Sequence, residues 1–161
     1  MSRRNDTRTA RRLSGKEWRL LLEAGGVLVI ARLAVWLVPF RRLASRLGVE
    51  MAESPSTITE KQRDTAVPIG WAVGTLGRRL PWMGQCLVQA VAATWMLRRR
   101  RIPSTIYFGL SKDSGGQLGA HAWIRCGAEI LTGDKGREDF RVVATFATPD
   151  PDAEPGCTVP P

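Results

Sequence analysis

The chain has 161 residues, 43% of them hydrophobic, which is enough for one compact domain with a real core and too few for two. Lys and Arg number 24 against 15 Asp and Glu, a net charge of +9 that admits an acidic or polyanionic partner. About half of that excess lies in residues 1–19, and neither that tail nor the basic knot at 98–101 carries the aromatic or glycine interleaving of a nucleic-acid module, so no nucleic-acid partner is expected.

Ser14-Gly15-Lys16-Glu17 has the form of a capping box before an apolar run, which predicts a basic disordered tail over 1–15 and a helix over 16–37. Glu23 precedes the apolar stretch 25–40 and Arg32 interrupts it, so an unbroken span of about 20 apolar residues is not available. Burial in a soluble core or against a partner is the expectation; a secretory signal fits poorly for the same reason. Pro39 ends or kinks that helix, and 40–47 forms a second, short one with Arg41, Arg42 and Arg46 outside and Gly48 as its stop.

Residues 49–65 are polar, contain Ser54-Pro55-Ser56, and read as a loop that completes an amino-terminal region over 16–65. A catalytic core is expected over 66–147. It opens with a helix over 67–80 that carries Ile69, Val73 and Leu76 on one face and is closed by Pro81. A further helix over 86–101 places Leu87, Ala90, Val91 and Trp95 at helical spacing before Ile102-Pro103 stops it. The period then changes to two, predicting strands over 105–110, 119–126, 129–132 and 140–146 joined by short turns, hence an antiparallel sheet. The glycine-rich stretch 112–119 lacks the Gly-Lys-Ser/Thr of a phosphate loop and reads as a hairpin connection. From 147 onward five of fifteen residues are proline, which makes 148–161 a disordered tail containing Cys157.

Cys86, Cys126 and Cys157 show no CxxC spacing and His121 is the only histidine, so neither a zinc site nor another cofactor is expected. A sparse, odd set of cysteines suits a reducing cytoplasm. A thiol attacks a carbonyl as its thiolate, which a helix N-terminus or a neighbouring imidazolium favours. Cys86 falls in the first turn of its predicted helix, where unpaired amides, those of Gln85 and Cys86, also suit the oxyanion of a tetrahedral intermediate. Taken alone, Cys86 reads better as a small buried hydrophobe, and it is His121 that turns the balance. On the strand around Ala120-His121-Ala122-Trp123-Ile124, alternation puts His121, Trp123 and Arg125 on one face and Ala122, Ile124 and Cys126 on the other. His121 is therefore the candidate base for Cys86, or else a core histidine bonded to a backbone carbonyl, while Cys126 points the wrong way.

These residues resemble a known family. Leu80-Pro81-Trp82, Cys86-Leu87-Val88-Gln89-Ala90, the run from Arg98 to Thr105 and Ala120-His121-Ala122-Trp123-Ile124-Arg125 look like the transglutaminase-like leader peptidase of lasso-peptide biosynthesis. Pro39-Phe40-Arg41-Arg42-Leu43-Ala44 is similar to its amino-terminal part. The resemblance implies an α+β fold with a papain-like or transglutaminase-like core, a catalytic helix packed on an antiparallel sheet and helices preceding it. It also implies a bacterial cysteine peptidase that removes the leader from a ribosomally made precursor peptide. The implied partners are a separate leader-recognition protein and a cyclase related to asparagine synthetases. The rival readings are a transglutaminase-like acyltransferase and a non-catalytic peptide-binding scaffold. For the amino-terminal helices, docking of those partners is preferred over shallow membrane association, beside the plainer reading that 27–37 covers the sheet or the catalytic helix.

An acidic residue should orient His121. A two-residue turn at Gly127-Ala128, with glycine first as a type II′ turn prefers, pairs Cys126 with Glu129, Trp123 with Thr132 and His121 with Asp134. Opposed residues share a face about 5 Å apart, which makes Asp134 the candidate third catalytic residue. The alternative is that Asp134, between Gly133 and Lys135, is only part of a polar turn.

Overall fold

A computed structural model of the chain describes residues 13–80, 85–112 and 116–148. The basic tail (1–12), the stretch 81–84 with Pro81, the centre of the glycine-rich connection (113–115) and the proline-rich tail with Cys157 (149–161) lie outside the described residues.

Helix α1 (Gly15–Leu37) starts on the expected capping box: Ser14 accepts from the Glu17 amide and Glu17 accepts from the Ser14 amide. Helix α2 (Phe40–Ala44) stops earlier than expected, because Arg46 and Leu47 turn back onto the carbonyls of Leu43 and Ala44 and bury Leu47 completely. The stretch 49–65 is not all loop. It holds a two-residue strand β1 (Val49–Glu50) and the start of α3 (Glu60–Arg79). Thr59 and Gln62 form a second capping box, so α3 begins seven residues before the expected start at 67 and carries Pro68 in its interior. That proline costs one intrahelical bond, about 3 kcal/mol in an isolated helix, which the packing of Ala66, Ile69 and Val73 offsets.

Helix α4 (Cys86–Arg98) is apolar on every side because it lies between the sheet and α1 with α3; Val88, Ala90, Val91, Ala92, Met96 and Leu97 are all fully buried. It ends three residues short of the expected 101, in turns that put Arg101 in the left-handed region at φ 55°. The strands are β2 (Ser104–Lys112), β3 (Leu118–Cys126), β4 (Glu129–Thr132) and β5 (Arg141–Thr148). They form one antiparallel sheet in the order β1-β5-β2-β3-β4. The strand β5 runs to Thr148, whose hydroxyl meets Ser104 at 3.0 Å, so 148 belongs to the sheet and not to the tail. Alternation along β3 sends Ala122, Ile124 and Cys126 into the helix-covered core, as the sequence pattern requires. Arg125, on the opposite face, ties the segment before α3 to the sheet: its guanidinium reaches the Tyr107 hydroxyl and the carbonyls of Ser54 and Gly127.

Candidate active site

Cys86 is the first residue of α4 and is half-buried. Gln85 precedes it in extended backbone as the helix cap and makes no side-chain capping bond, so the opening turn presents uncapped amides and the positive end of the helix dipole beside the thiol. The Cys86 thiol has no hydrogen-bond partner among the described residues. His121 stands in the middle of β3, and the two side chains line one cavity of about 550 Å³ at the rim where α3, α4 and the end of β4 meet. No hydrogen bond joins them in this structure. Such bonds are commonly long without substrate and close in the substrate complex.

The imidazole is held on three sides. Its ring lies 5.8 Å from that of Trp123 and 5.0 Å from that of Phe140, and Nε2 is 2.7 Å from the Gly133 carbonyl oxygen. A carbonyl only accepts, so Nε2 carries the hydrogen, and Nδ1 of the neutral ring keeps the lone pair that can take a thiol proton. Two glycines make this geometry possible. Gly109 pairs directly with His121 across β2 and β3, and a Cβ there would lie 2.8 Å from both the Trp123 ring and Phe140. Gly133 sits at φ 75°, and a Cβ on it would meet the Ala122 oxygen at 2.5 Å and Trp123 Cβ at 2.8 Å. Only glycine brings its carbonyl this close to the ring.

The expected pairing of His121 with Asp134 does not form. The turn at Gly127 and the pair Cys126 with Glu129 occur as expected, with Gly127 at φ 58°. A bulge between Ile124 and Arg125 then shifts the register, so that Thr132 faces Ile124 and not Trp123. The extra residue on β4 takes Asp134 out of the position opposite His121, and the imidazole meets the Gly133 carbonyl instead. The Asp134 carboxylate lines the cavity but pairs with Arg137 Nε at 2.8 Å, across an exposed turn. The Gln85 side chain accepts through Oε1 from Arg32 of α1 at 2.8 Å, and of the two oxyanion candidates Cys86 lines the cavity.

Several cavity residues escaped the sequence reading. Gln89 lies one turn after Cys86, a spacing that puts both on one helix face. Gly70, Gly74 and Arg78, at intervals of four along α3, make its opposite wall. Arg32, read from sequence only as a break in an apolar run, fixes the residue before the thiol. Cys126 is inert: it is fully buried, its thiol donates to the Pro103 carbonyl at 3.3 Å, and burial pushes that thiol up to about 11. Among the described residues no group of three His, Cys, Asp or Glu side chains is disposed to hold a metal ion.

A five-stranded antiparallel sheet with one buried helix packed on it, and a cysteine at the exposed start of that helix, is the α+β architecture of the papain-like and transglutaminase-like class. Residues 28–145 match the family model of the transglutaminase-like superfamily, and the chain belongs to that superfamily, which includes cysteine proteases and acyltransferases. The match begins inside α1, so it takes in residues 28–37 of that helix. No curated protein and no solved structure matches the chain.

Proposed function

We propose that this protein is a cytoplasmic bacterial cysteine peptidase that removes the leader from a lasso-peptide precursor. The observation that carries the reading is the shared cavity of Cys86 and His121 in a transglutaminase-like chain. Cys86 Sγ attacks the scissile carbonyl and His121 Nδ1 takes the thiol proton, then returns it to the leaving amine. The oxyanion forms against the first-turn amides of α4, that of Cys86 foremost. Water hydrolyses the acyl-enzyme and frees the leader acid. The Gly133 carbonyl, more than the Asp134 carboxylate, supports the imidazole in this scheme, since the hydrogen bond runs to Gly133. A leader-recognition protein delivers the precursor, and a cyclase related to asparagine synthetases uses the freed amine.

The test is to weigh the products of protein, recognition protein and precursor. A free leader acid and a core peptide with a free amine are expected, and Cys86→Ala should lower their formation by more than about a thousandfold while remaining folded. Leader joined to an added amine would identify an acyltransferase instead. Unchanged cleavage by Cys86→Ala would end the nucleophile assignment.

A further inference from the structure

Outside the catalytic cavity, the least satisfied surface of the molecule is the outward face of α1. Trp18, Leu22, Val29, Ile30, Leu33, Trp36 and Leu37 are all more than two fifths exposed, and Phe40 of α2 continues the stripe. From Trp18 to Trp36 it runs about 27 Å at 1.5 Å per residue. Monomeric domains rarely leave so long an apolar patch uncovered. Arg19 is exposed near the amino-terminal end of this stripe, whereas Glu23 and Arg32 do not interrupt it, because each reaches a partner on the protein. Glu23 pairs with Arg100 at 2.6 Å, and Arg32 reaches Gln85. The inward face is already packed, with Ala24, Leu28 and Ala31 completely buried, so α1 lies along the protein surface and does not stand free of it.

We infer that this face docks on an anionic lipid bilayer, with α1 lying in the plane of the headgroup boundary. Three observations choose the lipid over other occupants. Trp18 and Trp36 both stand exposed in the stripe, and the amphipathic indole favours the headgroup level along which an in-plane helix lies. Its border is cationic: Arg98, which gives one donor to the Arg46 carbonyl, and Arg99, 3.5 Å from Glu23 but still mostly exposed, flank a cavity of about 480 Å³ floored by Val27, Ile30 and Trp95, and the exposed Arg41 and Arg42 follow Phe40. That cavity offers apolar contact beside guanidinium donors, which suits an acyl chain below a phosphate. A second copy on the same face would bring the same arginines against one another, which disfavours a homodimer. The inference is independent of the reaction at Cys86. It places the catalytic helix next to the bilayer, because Arg32 on the inward side of α1 holds the residue before the thiol.

The experiment is flotation of the full chain with vesicles of phosphatidylcholine alone and of phosphatidylcholine mixed with phosphatidylglycerol. The protein should float with the anionic vesicles at least about tenfold better than with the neutral ones, and progressively less as salt is raised. Leu33→Asp with Trp36→Asp should reduce flotation at least about tenfold while circular dichroism and melting temperature stay at parent values, since both positions are exposed. Arg41→Gln with Arg42→Gln should weaken flotation and flatten its salt dependence. Absence of flotation on both compositions, or equal flotation of parent and the Leu33, Trp36 variant, overturns the inference. So does an acidic protein that binds the α1 face while the parent ignores vesicles, or a homodimer dispersed by those substitutions without any flotation.

Discussion

Cys86 and Cys126 are the same residue type in two opposed settings of one helix-on-sheet layer. Cys86 opens α4 at the cavity rim, half-buried and beside uncapped amides, whereas Cys126 closes β3 inside the core and spends its thiol hydrogen on the Pro103 carbonyl. Thiol chemistry here follows from place in the fold. A helix start exposes donors and a positive dipole end, while the core face of a strand offers only apolar neighbours and one acceptor.

The sharpest way to break that contrast is alkylation at neutral pH. With its thiol pushed up to about 11, Cys126 holds roughly one thiolate in ten thousand molecules, so iodoacetamide should label Cys86 at least about a hundredfold faster. Peptide mapping by mass spectrometry reads the ratio, and comparable labelling of the two would erase the distinction. His121→Ala should also slow the labelling of Cys86 and leave that of Cys126 unmoved.

A second comparison sharpens the site itself, since Gly133 and Asp134 are adjacent and only one touches the imidazole. Gly133→Ala should lower turnover by about a hundredfold, because the new Cβ collides with the Ala122 oxygen and Trp123 and drives the carbonyl off Nε2. Asp134→Asn should cost less than about fivefold, as its carboxylate serves an exposed pair with Arg137. Steady-state rates on the precursor decide it, and the reverse order would return the orienting role to Asp134.

The smallest effect concerns how α1 is held against α4. The Arg100 hydrogen bond holds the Glu23 carboxyl below its ordinary value, so this pair stabilises the fold above the unfolded carboxyl range, near ~4.3, and is lost as pH falls through the lowered folded value. Glu23→Gln should therefore cost about 1 kcal/mol at neutral pH. The gap between variant and parent should close in acid, measured by urea unfolding at several pH values. A gap that stays constant with pH would mean that Glu23 acts through packing and not through its charge.

Much of this was legible in the residues themselves. The Ser14 capping box, the change of period after Pro103 and the alternation around His121 gave the first helix, the antiparallel sheet and the inward side of Cys126, because each depends on local hydrogen bonding or on which side of a strand a residue falls, while the α+β class came with the family resemblance. The start of α3 was also written there, in Thr59 and Gln62, but the polar first turns and Pro68 concealed it. What pattern could not supply was anything that depends on one element meeting another. The bulge at Ile124 shifts the register by one residue and takes Asp134 from the place opposite His121, while the Gly133 carbonyl meets the imidazole; no periodicity announces it. The charges of Glu23 and Arg32 likewise look, along the chain, like interruptions of an apolar helix. Only the tertiary structure, by giving each a partner on or next to α4, took these two charges away from the apolar stripe of α1.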